Sequence, residues 1–155
     1  MGRYNKREAL AKNMALAGVD FSGASSEELV AIFRSILEQK IHGISFSPYI
    51  EGQGPGTQIS AEQIRERLKF IVPCVNWIRT FSCTEGNEQI PALAAENGLK
   101  SMVGVWLDDN RENNEKELAN AIEVAGAGHA GILAVGNEVL LRGDLPEDEL
   151  IDYIN

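Results

Sequence analysis

The sequence predicts an α/β fold built on a parallel sheet, and three observations carry that expectation. Helical and strand periodicity alternate along the 155 residues, as one leading helix followed by β-α-β-α-β-α-β-α. The apolar runs of the strands are short and continuous, which suits strands buried on both faces. Strand starts fall near residues 41, 75, 99 and 130, a spacing that fits βαβ units with crossover helices. Pattern alone leaves two architectures open, an open doubly wound sheet and half of a (β/α)8 barrel.

Each element has a local reason. Ser25 to Glu28 has the form of a capping box, and Leu29, Ile32, Phe33, Ile36 and Leu37 follow at helical spacing to about Lys40. Residues 1–40 thus form an N-terminal helical segment, and 41–155 the βα body. Ile41 to Phe46 is the first strand, closed by Ser47-Pro48-Tyr49; the Gly- and Pro-rich loop EGQGPGT after it is irregular and exposed. Ser60 and Gln63 make a second capping box, for a helix through Ile64, Leu68 and Ile71 that stops at Pro73.

Val75 to Phe81 is the second strand, β-branched and aromatic. A helix covers Glu88 to Asn97, where Asn97-Gly98 marks its end. Leu99 to Leu107 is the third strand. Asp108, Asp109 or Asn110 caps the next helix, whose apolar face is Leu118, Ala121, Ile122 and Ala125. Ile132 to Val135 is the fourth strand, and Pro146 suits the first turn of a last helix.

Composition narrows the function classes. The net charge of −9 argues against nucleic acid or an anionic membrane as partner, because phosphate contacts need clustered Lys and Arg. It is compatible with a neutral polysaccharide, although a solvated acidic surface explains most of it. No apolar run approaches the roughly 18 to 20 residues of a membrane span. The N-terminus, MGRYNKREALAKN, carries positive charge without a following apolar stretch, so no secretory signal is expected. Localisation stays open, with the cytoplasm as default. Cys74 and Cys83 fit neither a disulfide framework nor a zinc pattern and read as buried free thiols. His42 and His129 are isolated, so neither a metal site nor a cofactor is expected. Nothing like a GxGxxG or P-loop follows the first strand, which disfavours a nucleotide- or phosphate-binding βα protein.

Sites of parallel α/β folds lie at the carboxyl ends of the strands. Here those ends carry Phe46 and Tyr49, then Arg79, then Trp106, then Asn137 and Glu138. Aromatic rings stack on the apolar faces of sugars, while amides and carboxylates bond their hydroxyls. Core packing is the competing reading for the three aromatics, above all for Phe46, and an ordinary ion pair for Arg79. A glutamate directly after an apolar strand is expected to be poorly hydrated, which raises its pKa toward that of a general acid. Capping of the following loop is its plainer alternative.

The string Ala134-Val135-Gly136-Asn137-Glu138-Val139 resembles the fourth-strand motif of glycoside hydrolase family 17, the β-1,3-glucanase and licheninase family. GISFSPY, IRTFSC and LKSMVGVWL match it in order at the first three strands, and GNEVLLRGDL looks like the bacterial members. The resemblance covers residues 41 to 155 and implies the first four units of a (β/α)8 barrel. It implies a retaining enzyme acting on β-1,3-glucan oligo- or polysaccharide, hydrolytic or transglycosylating, with two carboxyl groups about 5 to 5.5 Å apart. Glu138 matches the acid/base, Asn137 the amide on the sugar 2-hydroxyl, and Arg79 an arginine that keeps the nucleophile ionised. Tyr49, Trp106 and Phe46 become subsite candidates.

The family's nucleophile lies on a seventh strand, and Asp108, Glu51 and Asp144 match no motif position for it. A chain of four units is therefore expected to be inactive alone, with exposed sheet edges inviting a second half barrel or self-association. A non-catalytic carbohydrate-binding half barrel is the remaining alternative.

Overall fold

The computed structural model describes residues 16–155. The N-terminal stretch through residue 15, on which the signal-peptide expectation rests, lies outside the described residues. The described residues divide into two compact units, with the boundary between Ser35 and Ile36. Helix α1 (Ser26–Glu38) opens with the expected capping box. The Glu28 backbone N–H donates to Ser25 Oγ at 3.2 Å, and Ser25 N–H donates back to the Glu28 carboxylate at 2.8 Å.

The larger unit carries the predicted alternation. Its strands are β1 (Ile41–Ser45), β2 (Val75–Arg79), β3 (Lys100–Val105) and β4 (Ile132–Val135). Helices α2 (Ala61–Ile71), α3 (Ile90–Glu96) and α4 (Arg111–Gly126) connect them, and α5 (Val139–Arg142) and α6 (Glu147–Ile154) follow β4. The sheet is wholly parallel, in the order β1-β2-β3-β4. A doubly wound sheet reverses its strand order at a switch point. This one does not. The architecture is α/β, consistent with the first four βα units of a barrel.

Register sorts the side chains. Arg79, Met102 and Ile132 stand in one row across three strands, and Trp77 pairs with Lys100. Successive residues of a strand face opposite ways, so Ile78, Val103 and Val105 share the other face, where they are buried. One cluster joins Val75 and Ile78 to Ile64, Leu68, Ile90 and Leu93 from α2 and α3. A second joins Val103, Val105 and Leu107 to Ala121, Val139 and Leu145. On the opposite face Trp77, Arg79, Met102 and Ile132 line an open hollow of about 410 Å³.

Several expectations need correction. β2 and β3 stop at Arg79 and Val105, two residues early at their carboxyl ends, because Ser82–Thr84 and Trp106 are recruited into hydrogen bonds with the Glu117 side chain. Only half of the Ser60 capping box forms. Gln63 N–H donates to Ser60 Oγ, but the Gln63 amide turns away to the Pro48 carbonyl at 3.0 Å and Gln53 Oε1 at 2.6 Å. The EGQGPGT loop is accordingly more ordered than its composition implies. Asn110 is the residue that caps α4, through Asn113 N–H. The inward face of α4 was misjudged: Ile122 is exposed, whereas Asn114 and Glu117 are buried with Ala121. Pro146 precedes α6 as its N-cap, one residue outside the first turn.

Two glycines separate close packing from backbone strain. A methyl group at Gly104 on β3 would meet the Thr80 carbonyl oxygen at 2.4 Å, inside the sheet. Gly98, after α3, has φ +74° with open space around it. Gly104→Ala is expected to cost more than Gly98→Ala, about 3 kcal/mol against about 1 kcal/mol, since overpacking a sheet moves backbone while a left-handed alanine is only strained. Urea denaturation of the two variants measures the difference; an equal loss would refute the packing argument.

Candidate active site

The carboxyl ends of the strands are held in place by one buried carboxylate that sequence reasoning missed. Glu117, on α4, is 1% exposed. Its Oε1 accepts from Ser82 Oγ at 2.5 Å and Thr84 Oγ1 at 2.6 Å. Its Oε2 accepts from the backbone N–H groups of Cys83 at 2.7 Å and Trp106 at 3.1 Å. A buried charge without a cation is tolerated only when hydrogen bonds replace its water. These four do so, and in turn fix the segments leaving β2 and β3. Asn120 adds a bond from Nδ2 to the Cys83 carbonyl at 2.7 Å, and Asn114 brackets Asp108 through its N–H at 3.0 Å and its carbonyl at 2.8 Å.

The loop after β1 is tied to the same frame. Gly56 N–H donates to the Glu85 carboxylate at 2.6 Å, and Ile59 N–H to the Glu85 carbonyl at 2.9 Å. The result is a cleft of about 460 Å³ over the ends of β1, β2 and β3. Phe46, Tyr49, Phe81 and Trp106 line it together with Asp108 and Glu117. Three of the expected aromatics therefore meet in one cleft. Phe46 is only 6% exposed and belongs to the core cluster, so it serves packing first. Phe81 is the ring that the sequence reading did not single out.

Arg79, Asn137 and Glu138 stand beside this cleft and do not line it. Arg79 Nη2 donates to Asn137 Oδ1 at 2.6 Å, bridging the ends of β2 and β4. The guanidinium lies 4.8 Å from the centre of the Phe81 ring, which does face the cleft. Its Nε is buried without a hydrogen-bond partner among the described residues. From α5, Arg142 stacks on Trp106 at 4.3 Å and donates to the Leu107 carbonyl at 2.7 Å. It also donates to the Asn137 carbonyl and, at 2.6 Å, to Asp144.

Glu138 is the N-cap of α5 and adopts φ 54°, ψ 18°. A left-handed backbone at a residue other than glycine costs on the order of 1 kcal/mol or more, and such strain gathers at functional positions. The poor hydration expected of Glu138 is not found. The residue is exposed, because β4 is the last strand in the order and has a neighbour on one side only.

Of the remaining titratable groups, Cys83 is the most displaced. Burial, helped by the negative charges of Glu117 and Glu88, pushes its thiol up to about 12. It therefore stays protonated and inert at neutral pH. No cluster of three or more His, Cys, Asp or Glu among the described residues could hold a metal ion. No helix among them is long and apolar enough to cross a membrane.

The sequence model of the BtgE/BtgC glycoside hydrolase domain matches residues 43–155. The chain belongs to this glycoside hydrolase family. It is also similar to a glucan 1,3-beta-glucosidase of Schizosaccharomyces pombe, at 36% identity over 93 residues. That match covers 56% of this chain and 29% of the relative, so the chain spans less than a third of that protein's length. No solved structure matches the chain. The resemblance to β-1,3-glucanase-type glycoside hydrolases is thereby borne out, and the strand ends described above lie within the matched segment.

Glu117→Ala is expected to destabilise the chain by about 3 kcal/mol, since the buried Cys83 and Trp106 N–H groups lose their acceptor. Glu117→Gln should cost clearly less, because the Ser82 and Thr84 hydroxyls can turn to accept from the amide. Equal losses in chemical denaturation would contradict the network. Against the expectation of two buried thiols, Cys74 is only half-buried while Cys83 is buried, so Ellman's reagent should label Cys74 in the folded chain and reach Cys83 only after unfolding.

Proposed function

We propose that residues 41–155 form the acid/base half of a retaining β-1,3-glucan hydrolase of family 17 type, with Glu138 as the proton-donating carboxyl group. The supporting observation is the linked set at the strand ends: Asn137, bonded to Arg79, adjoins Glu138 beside an aromatic cleft. In this reading a glucan chain lies across Tyr49, Phe81 and Trp106, with Phe46 forming the floor. Glu138 first protonates the departing glycosidic oxygen. It then takes a proton from the water, or from the acceptor sugar hydroxyl, that releases the glycosyl intermediate. Which of the two attacks decides between hydrolysis and transglycosylation.

The supporting groups have distinct tasks. With its Oδ1 engaged by Arg79, Asn137 keeps its NH2 end to donate to a sugar hydroxyl, a bond that strengthens as charge develops on the ring. Arg79 retains one buried donor, Nε, without a partner among the described residues. Such a donor suits a second carboxylate, the nucleophile, supplied by another barrel half. Asp108 has its Oδ1 engaged by Asn110 N–H at 2.9 Å, which makes it a loop residue in this scheme. Neither a metal nor a cofactor enters the chemistry.

The exposure of Glu138 favours a second reading, in which the isolated half binds glucan without cleaving it. Titration of the chain with laminari-oligosaccharides, with products analysed in parallel, should show binding without turnover. In an enzyme holding both carboxyl groups, Glu138→Gln is expected to lower kcat by about 10² to 10⁴-fold with KM little changed. Full activity of that variant would remove Glu138 from its role.

A further inference from the structure

We infer that Arg142 is a positioning residue that sets the Trp106 ring and the Asn137–Glu138 peptide with one guanidinium. The inference rests on the functional reading given above, and it assigns that site a part which acts through its neighbours.

All three nitrogens of the group are engaged. Nε donates to Asp144 Oδ2 at 2.6 Å, Nη2 to the Leu107 carbonyl at 2.7 Å, and Nη1 to the Asn137 carbonyl. Its guanidinium carbon lies over the Trp106 ring, 4.3 Å from the ring centre. The carbonyl of Asn137 belongs to the peptide bond that continues into Glu138. Holding that oxygen fixes the peptide plane from which Glu138 departs at φ 54°. The carbonyl of Leu107 belongs to the segment leaving β3, immediately after Trp106. One side chain therefore spans the ends of β3 and β4, with the aromatic ring on one side and the acid/base peptide on the other.

Arginine is required by this geometry. A planar fork donates in several directions while stacking on an indole, whereas an ammonium is a compact point charge that stacks poorly. The short helix α5 presents Arg142 at its last residue, and Gly143, at φ 74°, turns the chain so that Asp144 meets Nε. Asp144 thereby orients the fork and leaves both Nη groups for the two carbonyls.

The test is Arg142→Lys in the full chain, labelled with 5-fluorotryptophan. Trp77 and Trp106 are the two tryptophans, and Trp77, on β2, serves as internal reference. The substitution should shift the Trp106 fluorine signal and the Glu138 backbone amide while leaving the Trp77 signal in place. Affinity for laminari-oligosaccharides should fall about tenfold. Asp144→Asn should give changes in the same direction and smaller.

A merely structural role would lower the melting temperature without moving either signal, and that outcome overturns the inference. Shifted signals with unchanged affinity also overturn it and leave the functional reading standing. A wild-type chain that binds no oligosaccharide overturns both.

Discussion

The geometry of the site depends on a buried carboxylate that has no ion-pair partner among the described residues. Glu117 takes four hydrogen bonds from the segments that leave β2 and β3. Desolvating a carboxylate costs several kcal/mol, and losing any of these donors leaves part of that cost uncompensated. The bonds therefore act as constraints in both directions. They keep the charge tolerable, and they prevent Ser82, Thr84 and Trp106 from relaxing independently. Because Glu117 sits on α4, the register of that helix against β3 decides where the Trp106 backbone stands.

The same logic explains why the strands end where they do. In a parallel sheet the backbone groups beyond the last ladder bond must find partners elsewhere. Thr80 N–H still reaches the Met102 carbonyl at 3.0 Å, but Cys83 and Trp106 turn to Glu117. Helix α4 thus satisfies strand ends that a longer ladder would otherwise have to pair. The early ends of β2 and β3 and the polar inner face of α4 are two aspects of one arrangement.

That coupling marks the boundary of what was legible in the sequence. Local signals were read correctly where a short-range physical rule sufficed. The Ser25–Glu28 box, the end of α3 at Asn97-Gly98 and the limits of β4 all depend on residues within a few positions of one another. Glu117 was invisible because it lies among charged residues on a helix where surface exposure is the ordinary expectation. Only its partners, 11 to 35 positions away, reveal its place. That Tyr49, Trp106 and Phe46 line one cleft was legible because strand ends are predictable from strands; Phe81, beyond the end of β2, joins them without having been singled out. The hydration of Glu138 was misjudged for a different reason. A strand motif tells which end the glutamate occupies, and strand order tells how many neighbours cover it.

On the proposed reading, the position of Glu138 separates two requirements of acid/base catalysis. Its backbone is set by the αL turn after β4 and by the bonded Asn137 that precedes it, all of which this chain supplies. A raised proton affinity requires removal of water, and β4 lies at the end of the strand order with one side unpaired. Whatever covers that side, a further strand or a bound glucan, changes the dielectric around the carboxyl group without having to move it. Placement and desolvation then come from different sources. On the proposed reading the turn after β4 specifies where the proton is delivered, and the arrival of a covering element makes the carboxyl group a weak enough acid to hold that proton until transfer.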